Sequence, residues 1–483
     1  MNELKHSYWE LSTSLINGLN NNSIDYCHWK SNINVEKAMS GFDDLDLLIS
    51  RNHFNKCQIL LAELGFKEAL NAIQSIHSVR HYYGYDQLSG EILHVHLYVS
   101  IITGPSWTKG YTFGIEQEYL CSSTLDYNTE IRLPQKELEL ALYLIRICLK
   151  YTSLLEAPMV IFSRKLIRTE IEYLLNGSSE VLASEIFNRL VGVNNSRLFE
   201  SISHPNAGLY RIMVTALKVR SKLKRWRTLS WFEQIANSIL QLSYRIINKI
   251  LFKEKKKFAN GGLLVCFVGL DASGKSSMLN EADSLLSKRF NVKKIHFGRP
   301  PSTAISLVPN FLIKTSKKLK GNRRISSSYT GEKSESLIYV TRQLLLAYDR
   351  YKLVLKARKM ARKGSIVLID RFKAENIGVM DSYKLDPNRF NSLKKYLAKI
   401  ENSLYSKMGQ PGLILHLKVP LDVAIERNRK RIKADKESTS ELKLRYEKNK
   451  NLEYSCINYY MIDSNSDYSE VLAEIKGLIW KTI

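Results

Sequence analysis

The stretch from Leu263 to Phe290 constrains the fold of this chain more than any other. It opens on an apolar run, "LLVCFVG", rich in β-branched and aromatic residues, as a strand covered on both faces should be. A loop follows, and then Met278, Leu279, Ala282, Leu285 and Leu286 recur at helical spacing. Between strand and helix, Gly269-x4-Gly274-Lys275-Ser276 meets every fixed position of the P-loop pattern. Glycines let backbone N–H groups turn inward on a polyphosphate, and the helix N-terminus adds partial positive charge. The loop therefore predicts an ATP cradle made by Gly269, Ala272, Ser273, Gly274, Lys275, Ser276 and Ser277. Lys275 is placed to reach the β- and γ-phosphates, and the Ser276 hydroxyl to serve magnesium. The plain alternative is a glycine turn that only joins a strand to a helix.

The chain's 483 residues leave room for two or three domains, each with its own core. No apolar run is long enough to span a bilayer, and the N-terminus lacks a basic-then-apolar signal pattern. Cys27, Cys57, Cys121, Cys148, Cys266 and Cys456 are scattered without a C-x-x-C pair, which argues for a reducing compartment and against a structural zinc site. The expected location is the cytoplasm, with the inner face of the membrane as a further candidate. The formal net charge of +25 suits phosphate-rich substrates, anionic lipid or nucleic acid, beside the plain reading of a solvated basic surface. No fingerprint of a nucleic-acid-binding fold occurs, so no sequence-specific nucleic-acid partner is expected.

Three regions separate along the chain. Residues 260–483 alternate strand-like and helix-like segments: after the first pair come "VKKIHFG", a basic insertion at about 301–330, a long helix from Glu335 to Lys363, "SIVLIDRF", "LILHLKV", "CINYYMID" and a closing amphipathic helix. Five such strands between helices predict a parallel sheet covered on both faces. Residues 206–259 hold 13 Lys/Arg against 2 Asp/Glu and read as a basic amphipathic connector. Leu229, Phe232, Ile235, Ile239, Leu242, Ile246 and Ile250 form its stripe, which suits either an anionic membrane surface or packing between domains. Residues 1–205 form a separate α+β unit, with a strand at "DLDLLIS", a helix from His53 to Leu64, a hairpin at "RHYYGYDQLSGEILHVHLYVSI" and helices from about 135.

"FVGLDASGKSS", "LLLAYDR", "VLIDRF" and "HLKVPLDVAIERNRKR", in this order, resemble thymidylate kinase, a nucleoside monophosphate kinase of P-loop fold. The resemblance spans Leu263 to Ile483 apart from the basic insertion. It implies ATP and magnesium, with dTMP converted to dTDP and a nucleotide as substrate. Asp370 then holds magnesium or its waters, and Arg371 clamps the acceptor phosphate. Asp271 lies near that phosphate, Arg299, Arg350 and Asn376 contact the acceptor, and Arg427, Arg429 and Arg431 lead into a lid. With no arginine inside the P-loop, Arg427 and Arg431 are the expected catalytic cations of that lid. Members of the family are commonly dimers, so the resemblance also implies a homodimer.

The departures gather on the acceptor side. Leu346 stands where a thymine-stacking phenylalanine is usual, "GVMDSYK" replaces a tyrosine-glutamine-glycine stretch, and "HFGRPP" keeps only Arg299 and Pro300 of its loop. Lys418 replaces an aspartate elsewhere. A different acceptor, sugar-bearing or lipid-linked, therefore stays open, as does a membrane-surface scaffold that uses nucleotide as a switch.

The N-terminal stretch "HWKSNINVEKAMSGFDDLDLLIS" resembles the minimal nucleotidyltransferases. Ser31 is followed after twelve residues by Asp44-Leu45-Asp46, and strand alternation puts both carboxylates on one face, a mouth for magnesium and a nucleoside triphosphate. Lys30 stands where that family has glycine, and "EILHVHLY" offers His94 and His96 where a third carboxylate is usual. Either a histidine completes a metal site or the domain only binds.

Overall fold

The structure is a computed structural model that describes the whole chain except residues 1–7, 72–77, 107, 154, 205–206, 304–305, 307–335 and 431–437. The chain divides into two compact units, Met1–Glu254 and Lys255–Ile483.

In the first unit, strands β1 (Tyr26–His28), β2 (Leu45–Ile49), β3 (Lys67–Leu70), β4 (Val79–Tyr85) and β5 (Ile92–Tyr98) lie in the order β1-β2-β5-β4-β3. β2 and β5 run parallel, whereas the β1–β2, β3–β4 and β4–β5 pairs are antiparallel. Strand alternation sorts the faces. Leu45, Leu47, Leu93, Val95 and Leu97 enter a core shared with Leu15, Ile16 and Leu19 of helix Glu10–Asn21 and Leu60 and Leu61 of helix Phe54–Glu63. The intervening residues Asp46, His94 and His96 therefore emerge on the opposite face. The expected hairpin is β4–β5.

The remainder of this unit is helical. Helix Lys136–Tyr151 is apolar on nearly every side and is buried among helices Arg164–Leu175, Glu180–Val191 and Leu209–Lys222. Ala216, Val219 and Leu223 are part of that core, so the first half of the 206–259 segment is integral to the unit. The second half differs. Helix Trp231–Ile247 is started by a reciprocal capping box between Ser230 and Glu233. Of the expected stripe, Phe232, Ile239 and Ile250 are 77, 60 and 68% exposed.

The second unit contains the expected parallel sheet. Strands β6 (Leu264–Gly269), β7 (Val292–His296), β8 (Ile366–Asp370), β9 (Leu413–Lys418) and β10 (Tyr459–Asp463) lie in the order β7-β8-β6-β9-β10, all parallel. Cys266, Val268, Val367 and Ile369 face Val354 and Ala357 of helix Leu337–Arg362 and Tyr405 of helix Ser392–Lys407. Alternation sends Val265, Phe267 and Leu368 to the other face, where helices Lys275–Leu286 and Tyr468–Thr482 pack. Because the chain leaves β6 into helix Lys275–Leu286 on one face of the sheet and β8 into helix Ser392–Lys407 on the other, a crevice opens at the carboxyl ends of these two strands, the usual place for a ligand in such sheets. The basic cluster Lys314–Arg324 lies outside the described residues.

Candidate active site and a histidine–carboxylate cluster

The loop after β6 is shaped by two glycines. Gly269 has φ +138° and passes so close to β9 that a Cβ there would stand 2.3 Å from the Leu417 carbonyl oxygen. Gly274, at φ +88°, caps the N-terminus of helix Lys275–Leu286. The register pairs Phe267 with Asp370, so the end of β8 adjoins the start of the loop.

A cavity of about 350 Å³ opens there, lined by Asp271, Ala272, Gly274, Lys275, Ser276, His296, Gly298, Arg299, Asp370, Arg371 and Asp381. Lys275 is buried, with Nζ donating to the Leu270 carbonyl at 2.5 Å. Burial lowers its pKa to about 8, against the pull of the Asp271 carboxylate. Asp271 joins two arginines, with one oxygen 2.6 Å from Arg371 Nη2 and the other 2.5 Å from Arg445 Nη1. Burial alone would raise the Asp271 carboxyl, but Arg371, Lys275 and Arg445 hold it below the usual carboxylate range.

The other nitrogen of the Arg371 fork, Nη1, lies 3.2 Å from Asp381, whose second oxygen is 3.3 Å from Arg350 Nη2. Burial disfavours the Arg371 charge, yet Asp381 and Asp271 reverse this and raise its pKa. Arg350 is fixed from behind, donating to the Tyr405 hydroxyl at 2.6 Å and to the Phe297 carbonyl at 3.3 Å. The Oδ1 atom of Asp370 is buried and has no hydrogen-bond partner among the described residues, while Oδ2 sits 3.5 Å from His296 Nδ1. Such an orphaned carboxylate oxygen, on a residue that lines the same cavity as Ser276, fits a hard divalent cation.

A second cavity, of about 310 Å³, lies on the other side of the loop, lined by Ala272, Gly274, Ser277, Met278, Arg427, Ser464, Ser466, Tyr468 and Val471. Arg427 donates to Ser464 Oγ at 3.2 Å and to the Ser464 carbonyl at 2.8 Å, and Ser464 Oγ in turn donates to the Ser273 carbonyl at 2.7 Å.

The structure thus brings Asp271, Lys275, Ser276, Arg299, Asp370 and Arg371 to one cavity, with Arg350 behind it and Arg427 at the next. Asn376 is not among the lining residues; its side-chain oxygen accepts from the Glu453 backbone N–H at 2.9 Å. Arg431 lies outside the described residues. Asp381, Arg445 and Ser464 were not singled out from sequence. Asp381 sits in the "GVMDSYK" stretch, where the departure from the family pattern was the available signal.

In the first unit, Asp44 and Asp46 do share one face, and both meet histidines. Asp44 Oδ1 is 2.7 Å from His94 Nδ1, and Asp46 Oδ1 is 3.0 Å from His96 Nδ1 and 2.9 Å from Lys30 Nζ. Burial would raise the Asp46 carboxyl, but Lys30 and His96 hold it far below the usual range. Lys30 and Lys109 both donate to the Tyr98 hydroxyl, at 3.1 and 3.5 Å, and burial with the Lys30 charge pushes Lys109 down to about 7. In the same unit a cavity of about 390 Å³ is lined by residues that include Ser31, Arg146, Lys150 and Glu170.

Comparison with known proteins finds the chain 23% identical over 222 residues to a thymidylate kinase of Thermosipho africanus (strain TCF52B), covering 45% of this chain and 98% of that enzyme. Among solved structures, a thymidylate kinase from Candida albicans aligns at 20% identity over 45% of this chain and 91% of that one, with a TM-score of 0.26. The crystal structure of APE1195 aligns at 18% identity over 46% and 96%, with a TM-score of 0.24. No family model matches the chain. The Thermosipho likeness marks a kinase-like region in this chain, and the five-stranded parallel sheet is consistent with a P-loop kinase-like fold.

Proposed function

We propose that residues Lys255–Ile483 transfer the γ-phosphoryl group of ATP to a nucleoside monophosphate, with dTMP as acceptor and dTDP and ADP as products. The observation that carries this reading is the convergence of Asp271, Lys275, Ser276, Asp370 and Arg371 on one cavity at the carboxyl ends of β6 and β8. Phosphoryl transfer between anions needs fixed positive charge around the transferring group, and little else. Loop N–H groups and Lys275 bind the donor phosphates, Arg427 closes the donor side, and Arg371 with Arg350 orients the acceptor phosphate. Ser276 and Asp370 would hold magnesium, which when bound neutralises phosphate charge.

Asp381 and Leu346 support a second reading of the acceptor. Asp381 places a carboxylate between the two acceptor-side arginines, and Leu346 offers no π-face to a pyrimidine. A sugar-bearing or lipid-linked acceptor is the alternative. Release of ADP from ATP across a panel of nucleoside monophosphates separates the two. Activity with dTMP that is lost in Lys275→Ala supports the first; ATP binding without turnover of any monophosphate supports the second.

Two further readings concern the first unit. The exposed stripe on helix Trp231–Ile247, within a segment of 13 Lys/Arg against 2 Asp/Glu, supports peripheral contact with an anionic membrane surface. Among the described residues, no helix is long and apolar enough to cross a membrane. The paired Asp44 and Asp46 and the cavity that includes Arg146 and Lys150 support a nucleotidyltransferase-like role. Label transfer from a radioactive nucleoside triphosphate, lost in Asp44→Ala, is its test. Absence of transfer across varied acceptors leaves a binding domain.

A further inference from the structure

The strand register of the first sheet does more than pair carboxylates. β4 and β5 set His81 opposite His96 and Tyr83 opposite His94, while β2 sets Asp46 beside His96. Three imidazoles and two carboxylates thereby share the face turned away from the Leu45–Leu97 core. We propose that His81, His94 and His96 bind a divalent transition-metal ion of the zinc or cobalt type, with Asp44 and Asp46 orienting the rings. This does not depend on the first unit being a nucleotidyltransferase.

The spacing supports it. One nitrogen from each of the three histidines lies within 4.8 Å of the others. His81 Nδ1 and His94 Nε2 are 3.2 Å apart. Two nitrogens bound to one tetrahedral zinc at about 2.0–2.1 Å would be separated by roughly 3.3 Å. A small closure about a shared ion is all the geometry requires.

The remaining nitrogens are already engaged as a metal site needs. A ligating imidazole almost always gives its other ring nitrogen to a carboxylate or carbonyl, which sets tautomer and ring plane. Here the Nδ1 atoms of His94 and His96 meet Asp44 and Asp46 at 2.7 and 3.0 Å. Tyr83 stacks on His94 with centroids 4.2 Å apart and planes 6° from parallel, which fixes that ring further.

The donor set also selects the ion. Imidazole nitrogen suits zinc, cobalt, nickel and copper, whereas magnesium demands oxygen. Lys30 already occupies Asp46 at 2.9 Å, so an oxygen-only site would have to displace a half-buried ammonium, but a nitrogen site would not. Three protein ligands leave one tetrahedral position for water, a phosphate oxygen or Asp44, whose side chain is 31% exposed and lies 3.8 Å from His96 Nε2. Three-ligand sites of this kind are the ones that do chemistry rather than only brace a fold.

The test uses the full chain, stripped with a chelator and then dialysed against limiting Co²⁺ in excess Mg²⁺. We expect about one cobalt retained per chain, with the intense visible absorption of a tetrahedral ion. His81→Ala and His96→Ala should abolish retention, and Asp46→Asn should weaken affinity about 10- to 100-fold. Circular dichroism checks folding, and His81→Gln, at a half-exposed position, replaces any alanine variant that fails it. Displacement of cobalt by magnesium, retention unchanged in the folded histidine variants, or no cobalt uptake at all would each overturn the proposal.

Discussion

The Asp271 carboxylate and the Arg371 guanidinium meet at 2.6 Å, tying the phosphate loop to the residue that follows β8. Arg371 holds this position with φ +72°, a left-handed conformation that a long side chain rarely adopts. Its fork spans Asp271 on one nitrogen and Asp381 on the other. A lysine has a single ammonium and no fork. Arg371→Lys should therefore lower kcat for ADP release at least about 100-fold, the scale for losing an oriented charge at a transferring group. A lysine variant that turns over normally would remove Arg371 from the reaction.

Arg445, on helix Thr439–Asn449, holds the other Asp271 oxygen at 2.5 Å. Removing it leaves a partly buried carboxylate with one cation fewer and lets the loop's acidic residue drift. One charge-assisted hydrogen bond is worth about 1.5–3 kcal/mol, so Arg445→Ala should lower kcat about 10- to 100-fold. Steady-state kinetics at saturating ATP would show this, and an unchanged kcat would make the contact a surface tie.

Lys275 gives a pH dependence. Burial holds its pKa near 8, whereas a polyphosphate beside it would favour the ammonium. Above about pH 8, binding must take up a proton, so ATP affinity should fall about tenfold per pH unit. Calorimetry in buffers of different ionisation enthalpy reads that uptake directly. Affinity flat to about pH 9.5, without uptake, would contradict it.

Glu139 carries the opposite kind of signature. It is 3% exposed, and burial pushes its pKa up to about 7 although the Asn32 backbone and side-chain amides donate to it. Between the ordinary glutamate value of 4.5 and about 7, the folded chain keeps a proton that the unfolded chain has released. Stability of the first unit should therefore fall as pH rises through this window, by at most about 3 kcal/mol, and level off above it. Urea unfolding of wild type and Glu139→Gln at several pH values checks this; the variant should lose that part of the slope.

The exposed stripe predicts partition onto lipid. Phe232→Asp with Ile239→Asp should reduce cosedimentation with vesicles containing anionic lipid several-fold and leave ADP release unchanged. Binding that is equal on neutral vesicles, or unaffected by the double variant, would point away from a basic amphipathic contact.

Much of the second unit could be read from sequence because its signals are local. The glycine spacing, the apolar run before it and the Asp370-Arg371 pair each lie within a few residues, and the sheet places them together by register. Asp381, Arg445 and Ser464 could not be found this way. Arg445 and Ser464 reach the loop from 174 and 191 residues away, through the Arg445–Asp271 and Ser464–Ser273 bonds. Asp381 moreover needs a left-handed backbone, with φ +63°, that an aspartate does not advertise. His81 is an intermediate case. Alternation singled out His94 and His96, but adding His81 required the β4–β5 register, which the hairpin could have supplied once its turn was placed between Asp86 and Glu91.

Asp381 also sets an entry condition for whatever enters between Arg350 and Arg371. With that carboxylate in place, each arginine already has an anionic neighbour. A neutral guest gains nothing from arginines that are already paired, whereas a phosphate dianion carries enough charge to compete for both, at the cost of parting Asp381 from its cations. The cavity therefore screens its visitors by ionic charge before it can discriminate among them by shape. An unphosphorylated nucleoside would find both arginines already taken, even where its base and sugar fit.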